Sequence, residues 1–87
     1  MVDELIGKRV VVDLASPFVC LGTLSRVDQL MIELKNADFH DLRDTDTRRE
    51  NYVAASIASG IKRNRRKVMI SRHELVAITL LEDIVDG

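Results

Sequence analysis

Apolar and polar residues alternate along several short stretches of this chain. In "KRVVVDL", residues 8–14, Val10, Val12 and Leu14 share one face, which predicts a first strand. "DEL" before it can open a helical turn with Asp3 as its cap, ended by Gly7, and "ASP" at 15–17 is turn chemistry. "FVCLGTLSRVD", 18–28, is too long and too evenly apolar for a straight one-faced strand. Gly22 in its middle predicts a bulge or sharp bend, where a strand passes from one side of a barrel to the other. In "LMIELKNAD", Leu30, Ile32 and Leu34 face one way and Met31, Glu33 and Lys35 the other.

After residue 37 the pattern dissolves into a polar insertion, 38–67. Within it "DTRRENYVAASIASG", with the Ile61 that follows, spaces Val53, Ile57 and Ile61 at helical intervals, with Thr47 or Asp46 to cap the start and Gly60 to close the end. A helix is the preferred reading, and an extended hairpin arm is its rival. Strand pattern resumes in "KVMIS" and "ELVAITLL". The sum is five strands, the second bent at glycine, with one long insertion before the fourth: a mostly β, strongly bent, small antiparallel barrel. The last strand is apolar on both faces. One face lines the barrel, and the other needs cover from a neighbouring subunit or from segment 47–61.

Composition narrows this picture. The 87 residues make a single domain, 1–87. They are 46% hydrophobic but only 3% aromatic, so the core must come from Val, Ile and Leu. A net charge of -1 excludes a uniformly basic nucleic-acid binder, yet the charge is uneven. "KRNRRK", 62–67, holds five cations, whereas "DFHDLRDTD", 38–46, holds four aspartates against one arginine. A single cysteine, Cys20, precludes an internal disulfide and reads as a buried structural thiol. No apolar run approaches the ~18 residues of a membrane span, and no signal peptide precedes the first strand. A soluble, cytoplasmic protein with no membrane partner is expected.

At this point the residues resemble the Sm and Sm-like (Lsm) family. The first Sm motif is matched by Leu5-Ile6-Gly7, Val10, Val12, Leu14, Gly22, Leu24, Asp28 and Asn36-Ala37, keeping the Gly-x-Leu-x-x-x-Asp spacing; the second is matched more loosely by Ile70, Leu75 and Ile78. The resemblance implies a five-stranded Sm-like (SH3-like) barrel behind an N-terminal helix, closed into a homo-oligomeric ring. In that ring the fourth strand of one copy pairs with the fifth of the next. A ring of about five to seven subunits, carrying single-stranded RNA around its pore, is what the family leads one to expect.

The family's base pocket takes an aromatic or histidine, an asparagine and an arginine. Read without a gap, this chain would send Glu33 and Lys35 into the barrel, because a one-residue slip flips every side chain. Burying two unpaired charges costs about several kcal/mol, so the deletion belongs in the turn. Gln29 then takes the stacking position and Met31 the asparagine position, with Ile32 and Leu34 in the core. The family's Ile-Arg-Gly becomes Ile70-Ser71-Arg72, which moves the arginine one position and, in a strand, to the opposite face. Neither the aromatic nor the asparagine is present.

The basic block Lys62, Arg63, Arg65, Arg66 and Lys67 is the strongest remaining signal for RNA, through phosphates and without base stacking, since no aromatic interleaves with it in sequence. The rival reading is a solvated loop balanced by the aspartates of 38–46. Tyr52 reads as half-buried packing, His40 as a surface-loop histidine and not a metal ligand, and Arg72-His73-Glu74 as a turn. No nucleophile with a base, acidic dyad or phosphate loop stands out, so no catalytic residue, cofactor or metal is assigned. The expected function is a non-enzymatic Sm-like ring that binds RNA by phosphate contacts with weak base preference. The alternative is an Sm-like scaffold that binds only proteins.

Overall fold

A strand with three consecutive valines, β1 (Arg9–Leu14), pairs on one side with β2 (Phe18–Val27) and on the other with β5 (Leu75–Leu80). β3 (Met31–Asp41) and β4 (Arg65–Ser71) complete one antiparallel sheet of order β4-β3-β2-β1-β5. The computed structural model describes residues 2–44 and 48–85. A 3-10 turn over Val2–Leu5 precedes β1, and an α-helix, α1 (Arg49–Ser59), fills the insertion. Asp3 lies inside the first turn and not ahead of it as a cap. Among the described residues no helix is long and apolar enough to cross a membrane.

The bend falls where glycine predicts it. Leu21 pairs with Asp38 but Thr23 with Lys35, so Gly22 faces a β3 bulge at Asn36-Ala37, and Asn36 is left-handed at φ 51°. A Cβ on Gly22 would sit 3.0 Å from the Ala37 Cβ and 3.1 Å from the Lys35 carbonyl oxygen, so any other residue would push β3 away by a few tenths of an ångström. The bulge also resets the alternation. β3 therefore runs on through Asp38–Asp41, beyond the point where the sequence pattern fades.

The bent sheet buries two clusters. Inside the barrel lie Val10, Val12, Leu14, Cys20, Leu24, Ile32, Leu34, Ala37 and Ile70. On the outer face, Val11, Val19 and Leu21 meet Val53 of α1 and Leu81. The helical reading of the insertion thus holds, and Gly60 closes α1 with φ 88°. The cap residue is Arg48, which makes no side-chain cap bond, while Thr47 and Asp46 fall outside the described residues. Val53 is buried and Ile61 packs beside it, but Ile57 is 45% exposed. The helix covers β1 and β2; it does not cover β5, where Val76 is 68% exposed.

Candidate functional site

The sequence-assigned RNA residues separate into two patches. Gln29, Met31, Ser71 and Arg72 gather where the β2–β3 and β4–β5 turns meet, because Met31 and Ser71 are strand partners. Lys62, Arg63, Arg65 and Arg66 lie at the other end of β4. The six residue steps from Arg65 to Ser71 span about 20 Å at ~3.3 Å each.

Asp28 organises the first patch. Its Oδ1 accepts the backbone N–H groups of Leu30 and Met31, each at 2.8 Å, and its own N–H donates to the Met31 carbonyl at 3.0 Å. Those bonds from Met31 and Leu30 hold its carboxyl below the usual carboxylate range. Two bonds then stitch the turns together. The Arg72 N–H donates to the Leu30 carbonyl at 2.8 Å, and Arg72 Nη1 donates to the Asp28 carbonyl at 2.6 Å. The parity argument that sends Arg72 to the opposite face does not reach it. β4 ends at Ser71 and Arg72 opens a 3-10 turn, Arg72–Glu74, in which the strand alternation no longer holds. Without the family's glycine, that turn is capped by Ser71, whose hydroxyl accepts the His73 N–H at 3.3 Å.

Gln29 is exposed beside this junction, and Met31 is half-buried. Ile32 and Leu34 are in the core, as the gap in the turn requires. Glu33 is on the outer side but is only 4% exposed, because Lys67 and Arg26 flank its carboxylate at 3.6 and 3.9 Å. Lys67 is therefore already partnered.

The second patch is held by Asn64, which the sequence shows only as an interruption in the basic block. Its N–H donates to the Ala37 carbonyl at 2.8 Å and its Nδ2 to Asp38 Oδ1 at 3.1 Å. Asp38, buried, also accepts the Tyr52 hydroxyl, and Tyr52 stacks on His40 with ring centroids 4.1 Å apart. His40 is thus a half-buried strand residue and not a loop residue. Burial, then the bond to Asp38, pushes the Tyr52 phenol up, so it stays a donor. Among the described residues, no three of His, Cys, Asp and Glu gather as a metal site requires.

Among the described residues the aspartates of the insertion do not neutralise the cations. Asp41 takes Arg43 in a bidentate pair at 2.9 and 3.0 Å, and Asp38 is engaged as above. Arg63 donates to the Asn36 side chain at 3.0 Å and Arg65 to the Asn64 carbonyl at 3.2 Å. Among the described residues Lys62, Arg63, Arg65 and Arg66 have no carboxylate partner, and all four are exposed.

Neither a protein-family model nor a curated protein matches the sequence. Among solved structures, the chain is similar to a Pyrococcus abyssii Sm protein in complex with a uridine heptamer. The TM-score is 0.62 at 20% sequence identity, over 91% of this chain and 90% of that one. The likeness spans nearly the whole of both chains, the α1 insertion notwithstanding, and it gives the fold.

Proposed function

With the Sm fold as premise, we propose that this chain is a non-enzymatic, ring-forming protein that binds single-stranded RNA through phosphate contacts, with weak base preference. One observation carries this reading: four exposed cations at the start of β4, Lys62, Arg63, Arg65 and Arg66, have no carboxylate partner among the described residues although aspartates are close in sequence. Such groups bind phosphates in a salt-dependent, sequence-independent way. The likeness to a protein solved with uridine heptamer supports the same ligand class. At the opposite end, the Asp28–Arg72 junction retains a guanidinium, but Gln29 at the stacking position has no π-face and Met31 at the asparagine position has no amide. Selectivity for uridine is therefore not expected.

Titration of oligo-uridine and mixed-sequence RNA across salt concentrations tests the proposal. Four phosphate contacts on a single strand give a slope of about -3 in log affinity against log salt. Changing Lys62, Arg63, Arg65 and Arg66 to Ser should flatten that slope and abolish binding, with both sequences affected alike. A wild-type protein that binds neither RNA even at low salt would instead support a scaffold that engages only proteins. An apolar groove along α1, lined by Val53, Ile57, Ile84 and Val85, would favour that reading.

A further inference from the structure

The three aromatic residues of the chain, Phe18, Phe39 and Tyr52, are scattered in sequence, and none lies within the basic block. The fold brings two of them to it. Phe39 is clamped by the block's own Asn64. Its N–H donates to Asn64 Oδ1 at 3.0 Å, and its carbonyl accepts Asn64 Nδ2 at 3.1 Å. Arg63 and Arg65, on either side of Asn64, are thereby fixed beside this strand. Arg65 lies near enough for its charge to bear on Cys20, the strand partner of Phe39.

Phe18 and Phe39 meet edge-on with centroids 4.9 Å apart, and both are half-buried at the barrel's edge. The Arg43 guanidinium stands 5.7 Å from the Phe18 centroid, held there by its bidentate pair with Asp41. Two half-buried aromatic rings, and an arginine held over one of them, thus lie at the end of the molecule where the Arg63–Arg65 segment joins β3. The acids there are largely engaged: Asp38 by Tyr52 and Asn64, and Asp41 by Arg43.

We propose that Phe18 and Phe39, with Arg43 and the Arg63–Arg65 segment, form a stacking site for unpaired nucleobases of a single strand. The inference rests on the phosphate-binding reading above and deepens it. The cations hold the backbone, and the rings receive bases. Stacking of this kind tolerates any base, because every base has a π-face, so it fits a weak base preference. It also places the base site at the insertion end of the barrel, about 20 Å along β4 from the Asp28–Arg72 junction.

The experiment uses the full chain and single-stranded RNA and DNA oligomers of one sequence carrying 2-aminopurine. Phe18→Leu and Phe39→Leu keep apolar volume in the barrel wall but remove the π-face. Each variant is expected to weaken binding about 5- to 100-fold for RNA and DNA alike. The salt slope should stay unchanged and the quenching of 2-aminopurine should be lost. Photo-crosslinking of 5-iodouracil oligomers to the wild-type chain provides a measurement independent of variant folding, with adducts expected on Phe18 or Phe39.

Leucine variants that bind like wild type, or adducts that fall only elsewhere, overturn the stacking site while leaving phosphate binding standing. A loss confined to RNA or to DNA also overturns it, since the π-face is common to both. A wild-type chain that binds neither oligomer removes the phosphate reading, and the stacking site with it.

Discussion

Cys20 shows how strongly single positions are constrained in so small a barrel. It is fully buried between β1 and β3, paired with Val12 on one side and Phe39 on the other. Burial chiefly, and then the charge of Asp38, pushes its thiol up to about 12, against a smaller opposing effect of Arg65. The folded chain therefore keeps this proton in a range where the unfolded chain, with a thiol near 9.0, has lost it. Its contribution is complete below pH 9 and declines as pH rises from there toward 12. Denaturant melts of the wild type and of Cys20→Ala across that range should show the wild type losing stability more steeply. Parallel pH profiles would show that the thiol is not shifted. In the same protein at pH 8, alkylation of Cys20 should proceed only as fast as the barrel opens.

The strands were legible in sequence because each keeps one face on the core: Val10, Val12 and Leu14, then Ile32 and Leu34, show period two without interruption. The bend was legible at Gly22 because a side chain there would crowd Ala37. The end of β3 was not, since the left-handed Asn36 inserts a residue and shifts the alternation of Asp38–Asp41. Nor was the docking of α1. Only Val53 and Ser56 of the helix are buried, so its apolar face alone says little about where it packs. The position is set by polar contacts across the chain: Tyr52 to Asp38, and Arg49 to Asp13 at 3.4 Å. The RNA candidates divide in the same way. Lys62–Lys67 stood out as a run of charge, whereas the Arg72–Asp28 bond and the Asn64 clamp join residues far apart in sequence. If Tyr52 is the latch, Tyr52→Phe leaves buried Asp38 short of a donor and loosens the helix by about 1–3 kcal/mol. Hydrogen exchange should then quicken in α1 while the β1 and β2 amides stay protected. Equal acceleration everywhere would mean that the helix and barrel unfold together.

Among the described residues the sheet has two free strand edges, β4 and β5, because it runs β4-β3-β2-β1-β5 and α1 lies over an outer face and not along an edge. Unpaired edges template further pairing, and proteins blunt those they do not use with charge. β4 does so only in part. Arg65, Arg66 and Lys67 guard its first half, but Met69 in its second half is 54% exposed, as is Val76 of β5 at 68%. An apolar half-edge on one side and an apolar edge on the other suit head-to-tail pairing of identical copies, which closes into a ring when the rotation between them permits. Light scattering at micromolar concentration should therefore give a whole-number multiple of the 9.8 kDa chain and not a single copy. Met69→Asp or Val76→Asp should reduce it to a single copy. Both side chains are largely in solvent within one copy, so the strand content of the released chain, read by circular dichroism, should not change. A wild-type mass of one copy would remove the ring. An unchanged multiple in both variants would place the assembly contact on another surface, with the apolar groove beside Ile57 and Val85 the next to substitute.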